Sequence, residues 1–223
     1  MTDTSIYSAE LKPSKKPRLT RAALILEWSE RLVIVALYGW LVYKIVVPLV
    51  GGHGNMGNLL LLFSEGTVLI FVLFRRSTNI ISTRPIDWFL AFSATVTPLF
   101  VYPTASGSIV PPVFGTMVLM FGLLVQVYAK LILGRSFGGV PANRGLKLYG
   151  PYRFVRHPIY AGYLLTDIGF LLMNPTWWNL AVYVIFYCLQ VPRLLAEERL
   201  LSQDENYSKY MKEVRFRLIP GVF

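Results

Sequence analysis

GPYRFVRHPIYAG, Gly150 to Gly162, decides how this 223-residue chain is read. Two prolines, two arginines, a histidine and two tyrosines stand together there. Gly150-Pro151 marks a turn. His157-Pro158 marks a helix start, because proline suits the first helical position. The apolar run Ile159–Met173 carries that helix onward. Its N-terminus offers unpaired backbone N–H groups and the positive end of a helix dipole, which favour a carboxylate or phosphate. The plainer alternative is a basic turn at a membrane surface that binds nothing.

Composition sets the class. The chain is 54% hydrophobic and 15% charged, with a mean hydropathy of +0.50. A soluble domain of this length carries more charge. The apolar residues fall in long runs, so the fold class is all-α, a polytopic integral membrane protein with about six transmembrane helices. The net charge of +10 suggests nucleic acid at first sight. The basic residues flank the hydrophobic runs, however, where membrane topology accounts for them, so no nucleic-acid partner is expected. Cys188 is the only cysteine, which leaves no intrachain disulfide. His53 and His157 are the only histidines and lie far apart, so no metal site is expected.

Taken in order, residues 1–27 form a basic tail with Lys12, Lys15, Lys16, Arg18 and Arg21, and Pro13 and Pro17 oppose a regular helix. No removable signal peptide is read there; a cytoplasmic tail is expected. Residues 28–108 hold the first three spans, at about Arg31–Val50, Asn58–Phe74 and Ile86–Tyr102. Residues 109–223 hold spans at Ile109–Leu133, Pro158–Met173 and Thr176–Leu195, then a polar C-terminal segment. The loops Gly51–Gly57, Pro103–Ser108 and Asn174-Pro175 carry no Lys or Arg, whereas the alternate loops are basic. Six spans with both termini cytoplasmic satisfy the positive-inside rule at every loop. His53 reads as an exposed loop residue. Lys44, Glu65 and Asp167 fall within spans, where ionisable groups are functional candidates. Lys44 can snorkel and Glu65 can pair within the bundle. Asp167 shares a helix face with Tyr160 and Tyr163.

Two polar clusters stand at the cytoplasmic ends of the last two spans, Tyr152–Tyr160 and Arg193–Arg199. A tight hairpin joins the spans, so the clusters are expected to face each other across one pocket. Glu197 and Glu198 can accept hydrogen bonds from hydroxyls or neutralise a cation. Alternatively they are a solvated pair, with Arg193 and Glu197 in an ordinary four-residue salt bridge.

RHPIYAG at Arg156–Gly162, followed by EER at Glu197–Arg199, resembles the isoprenylcysteine carboxyl methyltransferase family and the related phospholipid methyltransferases. LGRSF at Leu133–Phe137 and the closing YSKY…IPG are similar to that family as well. The resemblance runs from about Leu119 to the C-terminus. It implies an integral membrane enzyme that uses S-adenosylmethionine and has no Rossmann domain. It also implies that the cofactor lies between the last helices and the cytosolic C-terminal segment. His157, Tyr160 and Gly162 fall on the motif that lines the family's cofactor pocket, and Glu197 and Glu198 on its paired glutamates. Two departures are visible. Gly122 is followed by Leu123-Leu124 where phospholipid N-methyltransferases have Gly-x-Gly, and Glu205-Asn206 precedes Tyr207 where Phe-Gly is frequent.

The chemistry suits the resemblance. The helix start at Pro158, with His157, can hold the cofactor's carboxylate. A glutamate can accept from its ribose hydroxyls or ammonium. Arg153, Arg156 and Arg193 are the cations able to orient an acidic head group, and are the expected catalytic residues. A carboxylate substrate needs no base, whereas an amine must first lose a proton. The expected function is S-adenosylmethionine-dependent methyl transfer to a lipid-borne carboxylate, with a membrane lipid or prenylated substrate as partner. A phospholipid amine is the enzymatic alternative, and a non-catalytic transporter or scaffold is the alternative of another class.

Overall fold

The computed structural model describes residues 20–48, 50–51, 66–103 and 107–223. His53 and Glu65 lie outside them, as do residues 1–19 of the basic tail and most of the Gly51–Gly57 loop. The described residues form helices and no sheet strand; a lone bridge pairs Ile81 with Ala142. The helices are α1 (Arg21–Pro48), α2 (residues 66–74), α3 (Pro85–Val96), α4 (Pro112–Leu133), α5 (Pro158–Met173), α6 (Trp177–Leu201) and α7 (Glu205–Glu213).

Local chemistry sets the ends. Thr20 opens α1 by accepting from the Ala23 N–H at 3.2 Å. Proline stands in the first turn of α3, α4 and α5, where its missing N–H costs nothing. Gly134, at φ 50°, ends α4. Thr176 caps α6 by accepting from Asn179 N, and Asp204 caps α7 by accepting from Asn206 N. The fifth span falls where the sequence places it. Three others shift. α1 starts at Arg21 rather than Arg31, since a cap and helix-compatible residues extend it. α3 stops at Val96, where Pro98 tightens the chain into a 3-10 turn. α6 runs on to Leu201, so Glu197–Arg199 lie within the helix and not after it.

α4 and α6 are each long and apolar enough to cross a membrane. Val113, Met117, Phe121, Leu124, Tyr128 and Leu131 recur along one face of α4 and are all exposed. So wide an apolar face suits lipid or a partner, not water.

The opposite face of α4 packs tightly on α5. Gly122 and Gly162 meet at the crossing. A Cβ on Gly162 would sit 2.6 Å from Gln126 Cγ and 2.9 Å from the Gly122 carbonyl oxygen. A Cβ on Gly122 would sit 2.5 Å from Thr166 N. Small residues here let two backbones approach as they do in lipid-embedded helix pairs. Gln126 Nε2 donates to Thr166 Oγ1 at 2.6 Å beside the crossing. α6 leans on α3 instead of pairing closely with α5. At the far end Asn179 locks the chain, accepting from Tyr102 N and donating to the Tyr102 and Asn174 carbonyls.

Three ionic junctions, two of them buried and one with a half-exposed arginine, fix the other end. In the first, Glu27 and Glu30 of α1 meet Arg75 and Arg144 at 2.8–3.0 Å, every side chain at most 3% exposed. Glu30 Oε1 also accepts from the backbone N–H groups of Gly139 and Val140 at 2.8 and 2.9 Å. In the second, Asp87 of α3 accepts from Ser82 Oγ and, through both oxygens, from Arg199 Nη2. In the third, Glu198 gathers three donors from α5 and the C-terminal segment.

Gly162→Ala should therefore overpack the α4–α5 crossing and cost about 1–3 kcal/mol. The readout is a lower thermal midpoint in detergent. Gly39→Ala is the control, because a Cβ there meets nothing within 4 Å.

Candidate functional site

A cavity of about 300 Å³ opens beneath the 134–149 loop, between α1, α4, α5, α6 and α7. Its floor is apolar, with Leu37, Leu41, Leu123 and Phe186. Its other end is polar, with Arg156, His157, Tyr160, Arg193, Glu197 and Tyr207. The two polar clusters of the sequence thus share one wall, although α5 and α6 are not close packing partners.

The adjacent glutamates separate because successive helix residues point about 100° apart. Glu197 reaches the cavity, where its Oε2 accepts from Tyr160 OH at 3.2 Å. Glu198 turns away and is 4% exposed. It meets Arg156 Nε at 2.7 Å, Arg217 Nε at 2.8 Å and His157 Nε2 at 3.2 Å. An ionised carboxylate only accepts, so His157 Nε2 is the donor in that contact.

The same junction covers the start of α5. Arg156 N and His157 N donate to the Phe216 and Arg217 carbonyls. The C-terminal strap therefore takes up the N–H groups just ahead of the proline. Tyr210 OH donates to the Tyr152 carbonyl at 2.6 Å and holds α7 against the Gly150–Arg153 turn.

The three arginines part company. Arg156 is buried and committed: beyond Glu198, its Nη1 donates to the Val214 and Arg215 carbonyls at 2.9 and 3.0 Å. Arg153 is exposed and off the cavity wall. Arg193 lines the cavity, donates to the Gly139 carbonyl at 2.8 Å and lies 6.0 Å from the Tyr160 ring centroid. A four-residue salt bridge between Arg193 and Glu197 is absent among the described ion pairs, since Arg193 turns to the loop carbonyl instead. Gly162 lies at the helix crossing and does not line the cavity. Lys44 is exposed, with its ammonium 5.6 Å from the Trp40 ring centroid. Asp167 lines the cavity and accepts from Tyr187 OH at 2.7 Å.

Gln190, Glu27 and Glu30 contribute without a motif, and Tyr207 contributes from the closing YSKY. Gln190 and Tyr207 are buried on the wall, and their Nε2 and OH have no hydrogen-bond partner among the described residues. Burial, then the nearby Glu197 and Glu198 charges, push the Tyr207 hydroxyl above the ordinary phenol range, which keeps it a donor. Glu27 and Glu30 act at a distance, by fixing the loop that roofs the cavity. Their signal was two acids on one helix face beside an apolar run, with basic residues in distant loops to answer them.

Glu198→Gln should weaken the third junction and destabilise the fold by about 3–5 kcal/mol, because partners of a buried pair are left uncompensated. Faster proteolysis at Val214–Arg217 should accompany it. Glu197→Gln, whose partner is one tyrosine hydroxyl, should leave the melting temperature of the ligand-free protein nearly unchanged. Thermal unfolding of both variants in detergent checks the contrast.

Comparison with known proteins places these features. Residues 111–209 match the family model described as phospholipid methyltransferase. Protein-S-isoprenylcysteine O-methyltransferase A of Arabidopsis thaliana is 30% identical over 110 residues, covering 45% of this chain and 55% of that protein. The chain thus spans only about half the length of this curated relative. A solved eukaryotic intramembrane Ras methyltransferase, isoprenylcysteine carboxyl methyltransferase, aligns over 92% of this chain and 99% of its own at 17% identity and a TM-score of 0.46. Both Arg156–Gly162 and Glu197–Arg199 lie inside the matched region. Residues 111–209 are thus similar to the phospholipid methyltransferase family.

Proposed function

We propose that this chain is a membrane methyltransferase of the isoprenylcysteine carboxyl type, using S-adenosylmethionine and acting on a lipid-borne carboxylate. The observation that carries the reading is one cavity whose lining joins titratable groups, among them His157, Arg193 and Glu197, to the apolar Leu37, Leu41, Leu123 and Phe186. A cofactor and a lipid chain need such a pair of environments, and the family match supplies the class of reaction.

The residues present suit the cofactor. Glu197 offers a carboxylate at the wall for an ammonium or ribose hydroxyl. The buried, unpartnered Tyr207 hydroxyl offers a donor. Tyr160 presents an aromatic ring, braced edge-on by Tyr163 at 6.1 Å, for an adenine or a cation. When bound, S-adenosylmethionine supplies a methyl group on a positively charged sulfur. His157, Tyr160, Glu197 and Tyr207 are the residues assigned to hold it. Glu198, and Arg156 with it, are assigned to holding the C-terminal strap across the site. Gly162 acts through the helix crossing that places Tyr160 and Tyr163.

The rest of the wall aligns and dries the reaction. The strap and the 134–149 loop keep bulk water from the polar end. Arg193 is the cation assigned to orient the acidic head group, since Arg156 is committed and Arg153 lies off the wall. Orientation is the largest single demand of a displacement whose nucleophile is already ionised. The lipid chain lies toward Leu123 and Phe186, because each methylene kept from water is worth about 0.8 kcal/mol. The phospholipid amine is retained as the second reading, because the matching family model carries that description. Six spans with both termini cytoplasmic place the polar end at the cytosolic face.

S-Adenosylmethionine should bind the purified protein. Methyl transfer should occur to a farnesylated cysteine carboxylate and not to phosphatidylethanolamine. Glu197→Gln should weaken cofactor binding about tenfold or more, as expected for a lost charge-assisted hydrogen bond. Methylation of the phospholipid alone would reverse the ordering of substrates, and no cofactor binding at all would point to a non-catalytic protein. For topology, cysteines at Gly54 and Ser106 in a Cys188→Ala background should react with an impermeant reagent outside intact cells. A cysteine at Ser77 should stay protected.

A further inference from the structure

The α6 residues on the cavity wall form one stripe: Phe186, Gln190, Arg193, Glu197 and Leu201. Their spacings of three and four keep them on one helix face. Along the stripe the chemistry passes from aromatic hydrocarbon to neutral amide, to cation, to anion. Gln190 and Glu197 stand about 10 Å apart along the axis, at about 1.5 Å per residue. A head group between the lipid chain and the cofactor therefore meets Gln190 and Arg193 first.

Gln190 is 3% exposed, and its Nε2 has no partner among the described residues. A buried amide left half-satisfied is costly unless something completes it. Its orientation is fixed by its neighbour. Arg193 Nη1 points at Gln190 Oε1 from 3.4 Å, and a guanidinium only donates, so the oxygen faces Arg193 and the NH₂ faces away from it. Arg193 Nε is likewise buried without a partner. Each of these two residues, three apart on one helix face of the cavity wall, thus keeps an unused donor.

We propose that Gln190 is a specificity-determining residue, its amide N–H adding a hydrogen-bond donor next to the Arg193 guanidinium for an acceptor-rich substrate head group. The proposal rests on the methyltransferase reading above and adds the residue that discriminates among head groups. A carboxylate can accept from the Gln190 amide and from Arg193, whereas an ammonium brings no acceptor to either donor. Rejection follows from leaving buried donors unpaired, which is how polar sites discriminate most sharply.

Gln190→Leu removes the donor, and Gln190→Glu replaces it with an acceptor at nearly the same volume. The test measures the dissociation constants of farnesylated cysteine carboxylate, and of S-adenosylmethionine, for native protein and both variants in detergent. Gln190→Leu should weaken carboxylate binding about tenfold, Gln190→Glu should weaken it at least as much, and cofactor affinity should hold. Carboxylate affinity within about twofold of native in both variants would overturn the role of Gln190 alone. Parallel loss of cofactor binding would also overturn it, by placing Gln190 in the cofactor site or the fold. Native protein that methylates phosphatidylethanolamine and binds no prenyl carboxylate would instead remove the parent reading.

Discussion

Glu30 is the residue on which the site depends most widely. Its carboxylate meets Arg75 and Arg144 and accepts from the Gly139 and Val140 N–H groups. The Gly139 carbonyl in turn accepts from Arg193. One buried acid on α1 therefore sets the height of the 134–149 loop, and the loop sets the guanidinium that faces the cavity. Buried ion pairs rarely add much net stability over an apolar packing of the same shape, because desolvation offsets their attraction. Here the reward is positional. Two acids, two arginines and two backbone donors fix the loop in one arrangement that apolar contacts alone would leave free to slide.

The second constraint is the division of labour between neighbouring glutamates. One helical step turns Glu198 into a knot with Arg156, His157 and Arg217, and leaves Glu197 facing the cavity. The knot joins α5, α6 and the C-terminal strap at a single carboxylate. Residues far apart in sequence are thereby brought to one wall, and the strap occupies backbone donors that a free helix start would offer to a ligand. Arg156 and His157 of the arginine-rich turn are both engaged in this closure.

Glycine at the α4–α5 crossing is the third. Gly122 and Gly162 allow a backbone approach that no side chain would permit, and this sets the depth of Tyr160, Tyr163 and Thr166 relative to α4. Gly162 is thus required near the site without lining it. Motif membership and contact with the cavity are separate properties.

The sequence by itself determined the helical class, the helix start at Pro158, the end of that helix at Met173 and the pairing of the Tyr152–Tyr160 and Arg193–Arg199 clusters. Those are local matters of proline placement and apolar runs. The cap at Thr20 and the helical run of α6 past Leu195 were legible in principle, but polar residues there looked like loop. Only the tertiary structure decided which of Arg153, Arg156 and Arg193 faces the cavity, that Glu197 and Glu198 have different duties, and that Glu27, Glu30, Gln190 and Tyr207 matter. Hydrophobic periodicity records which face of a helix is buried. It does not record which distant charge or carbonyl will be waiting there, because those partners come from segments more than forty residues away in the chain.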